Sequence, residues 1–403
     1  MKSYVKGKPI FTNINSKINQ YPYLIEDIET DVLVIGGGVT GSICTYYLSK
    51  NGINTTVIEK GRIGHLSTSV TTSLLQYELD DNLSELTEVI KFDDAIRAYK
   101  LGLKALDEIE EFINLHGNKC NYIKRDTLLY TAKESEKKAI YSEYESRKNN
   151  GIDVEYIDEN NNPYSFDLKA GIISKNGGAE IDPYKYTHHL LQVSIENNAR
   201  VYENTEAKKI IYTNDGVEVE TSYGYKIKAK KVIVATGYNT SLFTDRNFAT
   251  NYNTFNIATK PVKEIIGWKD NILIRDNCDP YNYLRTTIDN RLIIGGEDVE
   301  FNYIDNEELA DKKYDILEQR LKNMFKEIKD IEIEYKYCGC FASTTDNLGF
   351  IGPDPKHKNL WYCLGYGANG ILFAILGGMM LSKLYLGEVD KDMRLFKVDR
   401  FDK

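Results

Sequence analysis

Three glycines and one carboxylate carry the clearest chemistry in this 403-residue chain: Gly36, Gly38 and Gly41 in the spacing G-x-G-x-x-G, and Glu59 beyond them. A turn without side chains lets the backbone come close to a pyrophosphate. The free N–H groups at the start of a following helix, and the positive end of its dipole, then meet the negative charge. A carboxylate about 20 residues further on can accept hydrogen bonds from ribose hydroxyls. The pattern suits FAD and NAD alike, and a tight turn with no ligand is the plainer alternative.

The elements that must position these groups follow from the hydrophobic pattern. Residues 31–35 are an apolar run of strand length ending in the glycines, residues 42–50 have helical spacing, Asn51-Gly52 marks a turn, and residues 55–59 read as a second strand. A strand, turn, helix and strand of this length form a parallel unit with the helix N-terminus over the strand ends. The spacing predicts helices over 92–117, 133–150, 182–197 and 306–325, the third opened by Asp182 as N-cap and Pro183 in the first turn. Short strands are expected at 201–202, 207–212, 217–221 and 231–237, and residues 257–296 are strand-like around apolar centres at 272–274 and 292–294. Glycine-rich stretches at 348–352 and 359–370 precede a terminal helix. Its apolar run, 370–381, falls short of the about 20 residues of a membrane span, so a buried helix is expected.

Composition narrows the partners. With 42% hydrophobic and 28% charged residues the chain is ordinary globular material, and a net charge of −9 without a Lys/Arg block argues against nucleic acid. Six scattered cysteines lack the density of a disulfide-stapled secreted protein, and residues 1–30 hold no apolar stretch of signal-peptide length, which points to the cytoplasm. Cys338 and Cys340 share a strand face, but no second Cys/His pair accompanies them and no metal is expected. Thirty tyrosines stand against two tryptophans, and tyrosine serves both as core filler and as polar-tipped pocket lining.

Taken together, residues 31–41, Glu59-Lys60-Gly61-Arg62 with residues 67–73, Ala235-Thr236-Gly237, and the stretches 349–352 and 365–370 resemble the FAD-dependent oxidoreductase superfamily of D-amino-acid oxidase, glycine oxidase and sarcosine oxidase. The resemblance implies an α/β fold in which a discontinuous Rossmann-like FAD-binding domain is interleaved with an α+β substrate domain, whose mostly antiparallel sheet roofs the flavin. The expected segments are an N-terminal extension (1–29), FAD-binding segments 30–85, 175–240 and 336–403, and substrate segments 86–174 and 241–335. Within non-covalent FAD binding, Gly36, Gly38 and Gly41, with Val39 and Thr40, look like the pyrophosphate turn, and Glu59 and Lys60 like the adenosine-ribose contact. Ser67, Thr68, Thr71 and Thr72 resemble the small-residue loop beside the pyrophosphate and isoalloxazine. Ala207 matches an adenine-contacting position, and Ala235, Thr236 and Gly237 a turn near the adenosine half. Gly367, Ala368, Asn369, Gly370 and Ile371 resemble the segment whose N–H groups face the flavin N1/C2=O edge, where they favour the reduced, anionic flavin.

One position departs from the family. Phe341 stands where glycine oxidase-like chains carry an arginine for the substrate carboxylate, and a phenyl ring cannot make that bidentate pair. Arg285 and Lys260 are the candidate replacements, with a sheet or surface ion pair as the plainer reading of each. Tyr281 and Tyr283 share a strand face and, with Tyr366, are pocket candidates, although core packing also accounts for them. His65, His188 and His189 read more simply as structural than as bases or flavin attachment points.

The expected activity is hydride transfer from the C–N bond of a small amine or amino acid to flavin N5, giving an imine that hydrolyses, with O2 or another carrier as electron acceptor. Oxidation of a C–OH bond in a hydroxy acid or polyol phosphate is the alternative. A flavin-free NAD(P) dehydrogenase and a non-catalytic nucleotide-binding protein are more distant ones.

Overall fold

The computed structural model describes residues 4–15, 18–301 and 306–402. Residues 1–3, 16 and 17 of the expected N-terminal extension, residues 302–305 of the second substrate segment, and residue 403 lie outside the described residues. In chain order the elements are β1 (Val5–Gly7), α1 (Ile10–Ile14), β2 (Ile28–Ile35), α2 (Val39–Lys50), β3 (Thr55–Ile58), α3 (Ser67–Val70), β4 (Leu74–Gln76), α4 (Leu83–Leu86) and α5 (Phe92–His116). There follow β5 (Ile123–Thr131), α6 (Lys137–Asn149), β6 (Val154–Asp158), β7 (Ala170–Glu180), α7 (Pro183–Glu196), β8 (Arg200–Tyr202), β9 (Ala207–Tyr212), β10 (Val217–Thr221) and β11 (Lys226–Val234). The rest of the chain forms β12 (Thr250–Thr259), β13 (Leu273–Asp276), β14 (Tyr283–Thr286), β15 (Leu292–Glu300), α8 (Glu307–Met324), β16 (Ile333–Ser343), β17 (Phe350–Pro353), β18 (Leu360–Leu364) and α9 (Gly370–Tyr385).

Two sheets organise these elements. The first has the order β17-β18-β11-β2-β3-β8, with β10 and β9 attached antiparallel beside β11. Its centre, from β18 to β8, is parallel. Parallel strands covered on both faces read as continuous apolar runs, and Val32, Leu33 and Val34 are fully buried. The cover on one face is α2 against α9. Close approach is possible there because a side chain on Gly378 would come 2.6 Å from the Tyr47 ring, and one on Gly377 would come 2.4 Å from Cys363 Sγ. The terminal apolar run is therefore buried between α2 and the sheet; among the described residues no helix is long and apolar enough to cross a membrane.

The second sheet, β1-β16-β12-β15-β14-β13-β5-β7-β4 with β6 beside β7, is largely antiparallel, the β13–β5 pair being parallel. The chain passes between the sheets after β1, β3, β7, β11 and β16. Two of the expected boundaries, 175 and 336, thus fall inside strands: β7 runs on to Glu180 and β16 to Ser343 because their hydrogen-bonded partners, β5 and β12, extend that far. Likewise β4, placed by its sequence in the first FAD segment, pairs with β7 of the second sheet. Residues of the N-terminal extension complete an edge, β1 pairing antiparallel with β16, while Ile10 and Phe11 pack into a buried cluster with Val70, Tyr184 and Tyr337.

Candidate active site

The glycine turn joins β2 to α2 in a geometry that excludes side chains. Gly36 has φ +114°, and a Cβ there would stand 2.3 Å from the Ala235 carbonyl oxygen; a Cβ on Gly41 would stand 1.8 Å from the Gly36 carbonyl oxygen. The first turn of α2 is thereby held against β2 and β11, with its N–H groups, which have no partner one turn earlier in the helix, directed out of the strand ends. Thr68 Oγ1 accepts from the Val39 N–H at 3.0 Å, tying α3 to the same turn. Glu59 is buried and accepts from two backbone donors, Gly37 N–H to Oε2 and Gly61 N–H to Oε1, both at 2.8 Å. Each oxygen retains a lone pair for a ribose hydroxyl.

A second carboxylate, unsuspected from the sequence, braces the same loop. Glu203 accepts from the Ile63 N–H at 2.7 Å and the Tyr21 N–H at 3.1 Å, binding the loop after β3 to the N-terminal segment. Nothing in local spacing marks it, since its partners lie 140 and 182 positions away.

A cavity of about 480 Å³ starts at this turn and runs beneath the second sheet. Of the cofactor residues expected from the sequence, Gly36, Gly38, Val39, Thr40, Glu59, Lys60, Ser67, Thr68, Thr71, Thr72, Ala207, Ala235, Thr236, Gly237 and residues 367–371 line it. Gly41 does not; its place is the contact with Gly36. The volume, the cradle free of side chains and the acceptors of Glu59 fit a dinucleotide held by its pyrophosphate and ribose.

The far end of the cavity is one face of the second sheet. Pairing sets Arg275 opposite Tyr283, Tyr283 opposite Gly295, Gly295 opposite Asn256, and Tyr252 opposite Phe341, so these positions share a face. By simple alternation Asp298 belongs to the other face, with the buried Ile294. A bulge reverses that: Phe255 pairs with Gly296 but Asn253 with Val299, so β15 carries one extra residue, and Glu297 adopts φ +58°. Asp298 is thereby brought opposite Thr254 and lines the cavity with Thr254, Tyr281, Tyr283, Arg275 and Phe341.

Hydrogen bonds fix this end. The hydroxyls of Tyr283 and Thr254 are 2.8 Å apart, and the Tyr281 hydroxyl donates to Asp80 Oδ1 at 2.6 Å. Asp80 Oδ2 accepts from the Ala368 N–H at 3.2 Å, so Asp80 links the sheet to the loop before α9. Arg275 donates to the Leu79 carbonyl and lies over the Tyr281 ring, 5.3 Å from its centroid. Burial pushes the Asp298 carboxyl up to about 7; the Thr254 hydroxyl pulls it down, and Asp80 and Glu297 add to the rise. Burial likewise raises Tyr281 and Tyr283, which stay neutral phenols, and takes the Cys340 thiol, elsewhere on the cavity wall, up to about 12.

Two pocket expectations, Arg285 and Tyr366, are corrected, while Lys260 follows the plainer of its two readings. Arg285 shares the face of Tyr283 but lies further along β14, where neighbouring chain covers it; it is buried and donates to the carbonyls of Ser73 (2.7 Å), Ile181 (2.9 Å) and Thr286 (3.0 Å). Lys260 is exposed and pairs with Glu332. Tyr366, in the loop after β18, is not among the residues that line the cavity; it is buried and its hydroxyl donates to the Gly237 carbonyl at 2.9 Å. Among the described residues Arg275 is the cation that reaches this end, from a strand whose pairing no local pattern announced. Of the histidines, His188 and His189 are buried and held neutral, lowered to about 4, while His65 lines the cavity beside the Ile63 carbonyl, 2.9 Å from Nδ1.

The sequence model of the FAD dependent oxidoreductase family matches residues 31–384. Glycine oxidase of Bacillus subtilis (strain 168) is 25% identical over 389 residues, covering 92% of this chain and 97% of that protein. Gamma-glutamylputrescine oxidoreductase of Escherichia coli (strain K12) is 24% identical over 386 residues, 93% and 88% respectively. The crystal structure of glycine oxidase from Geobacillus kaustophilus superposes with a TM-score of 0.78 at 19% identity, over 93% of this chain and 98% of that one. The glycine turn, the Glu59 acceptors, the interleaved sheets and the family match converge: this chain belongs to the FAD-dependent oxidoreductase family and is an enzyme that uses FAD.

Proposed function

We propose that this enzyme oxidises the C–N bond of a small amine or amino acid to an imine, which water then hydrolyses. The observation that carries the reading is the set of acceptors at the sheet end of the cavity, the Asp298 carboxyl and the Tyr283 and Thr254 hydroxyls, which match the N–H donors of an amine. Two of its relatives are named as a glycine oxidase and a gamma-glutamylputrescine oxidoreductase, in keeping with it. Bound FAD supplies the hydride acceptor. The residues of this chain hold and orient: the Gly36 turn and Glu59 the adenosine half, residues 367–371 the flavin, and the sheet face the substrate, Phe341 and Tyr283 closing it from water. A neutral amine has its own lone pair to support departure of hydride, so no protein base is required at the carbon.

In this reading residues 28–58, 200–234 and 350–385 belong to the FAD-binding domain, and the second sheet with α5, α6 and α8 to the substrate domain. Electrons pass on to O2 or to a carrier. Six free thiols suit a reducing cytoplasm. Anaerobic mixing of the yellow holoenzyme with a panel of amines, amino acids, hydroxy acids and polyol phosphates tests the assignment. Bleaching of the flavin band by an amine or amino acid is expected; bleaching by hydroxy acids alone would refute it.

A further inference from the structure

Charge at the sheet end of the cavity does not balance. Arg275 and Asp80 flank one ring, that of Tyr281, and offset each other there. Lys313 of α8 pairs with Glu297 at 2.9 Å, on the far side of the bulge. Those pairings leave Asp298: one of its oxygens is buried with no hydrogen-bond partner among the described residues, and the bulge turns the side chain to the cavity. A buried carboxylate whose nearby cation, Lys313, is already paired with Glu297 is unfavourable, and a ligand that brings a positive group to it is held by a charge-assisted hydrogen bond.

Resting on the amine-oxidation reading above, we infer that Asp298 is a specificity-determining residue that holds a cationic nitrogen of the substrate. The nitrogen it holds is not the one oxidised. An amine must be neutral for hydride to leave its carbon, whereas a nitrogen paired with a carboxylate in a buried site keeps its proton. The substrate therefore carries two amino nitrogens, one neutral at the reacting carbon and one positive against Asp298. It belongs to the class of diamines and their derivatives. Phe341 fits this assignment, because the end of the molecule it faces then needs no bidentate cation.

Burial raises the Asp298 carboxyl to about 7; of the groups that face it, Asp80 and Glu297 add to the rise, Thr254 and Lys313 oppose it, and Tyr283 lies against it as a neutral phenol. Pairing needs the carboxylate, so affinity for a diamine rises with pH through that value.

The test uses the holoenzyme and three probes of one length: 1,4-diaminobutane, n-butylamine and 4-aminobutyrate. Binding is read from the perturbation of the flavin spectrum at pH 8 under anaerobic conditions, and reduction from bleaching. The diamine should bind at least about tenfold more tightly than butylamine, with 4-aminobutyrate weakest. Asp298→Asn should bring the diamine to the level of butylamine, while Asp298→Glu keeps most of the preference. Equal affinities in the unaltered enzyme, tightest binding of 4-aminobutyrate, or an unchanged diamine preference in Asp298→Asn would each overturn the assignment. The unaltered enzyme decides by itself if the Asn variant does not fold. Charge-ordered binding without any bleaching would support the Asp298 subsite while removing amine oxidation; bleaching by amines with no charge order would do the reverse.

Discussion

Replacing Asp298 by Asn should make the protein more stable at pH 8. In the unfolded chain the carboxyl titrates near its ordinary 3.8, whereas in the fold burial raises it to about 7. The native state therefore binds the extra proton between those values, and stability is lost as pH rises from 3.8 to about 7, remaining lost above it. At about 1.36 kcal/mol per unit, the full difference is about 4 kcal/mol. Asn fills the same volume, keeps hydrogen-bonding capacity toward Thr254, and carries no charge to bury. With an unfolding entropy of about 2.1 cal/mol/K per residue, the gain corresponds to a Tm increase of about 5 °C. Thermal unfolding of both proteins, saturated with FAD and scanned from pH 5 to pH 8.5, provides the measurement. The gap should narrow to about 1–2 kcal/mol at pH 5, where the native carboxyl is protonated and the unfolded one is only about a unit above its own pKa. A variant no more stable than its parent at pH 8, or a gap that widens on acidification, would show that the carboxyl is not buried in the way described. Excess diamine should cut the gap at pH 8 by stabilising the parent alone.

Gly41→Ala should yield a protein that retains little or no FAD, since its methyl group would collide with the Gly36 carbonyl and push α2 off the strand ends; the ratio of flavin to protein absorbance measures this. Glu59→Ala removes the acceptor of two backbone N–H groups and of the ribose, and should weaken FAD binding by at least about tenfold, read by fluorescence titration of the apoprotein. Arg285→Met should lower stability by about 1–3 kcal/mol, because the Ser73 and Ile181 carbonyls lose their donor, yet leave KM within about twofold. A large rise in KM without loss of stability would return Arg285 to the substrate site.

What could be read in advance was what local spacing encodes. The Gly36 turn, the Asp182 cap with its two bonds to the Tyr184 and Lys185 N–H groups, and the apolar run of α9 each declare themselves within a dozen residues. The cofactor end of the cavity was legible for that reason. The substrate end depends on pairing between distant strands, which alternation alone does not reveal. Arg285 has the right parity, but what covers its end of β14 decides its partners. Asp298 has the wrong parity, and an extra residue in β15 corrects it. A bulge of that kind leaves no mark on composition, though the pair Gly295-Gly296 is where close backbone approach allows it: a Cβ on either would strike Asn256, Asn282 or Tyr283.

The order in which the chain visits its two sheets has a consequence for biosynthesis. Residues 28–58 supply the pyrophosphate turn early, but β18, which completes the parallel core beside β11, and residues 365–372, which close the flavin end, come last. At about 5–20 residues per second, a ribosome needs roughly 15–65 s to make the intervening 300 or so residues. Throughout that time FAD has no finished site to bind, and once β11 has been made the half-built sheet presents an open edge there until β18 arrives. FAD therefore finds a complete site only once residues 365–372 have been made and have folded against β11, and a truncation that removes α9 would leave the protein in that unfinished state permanently.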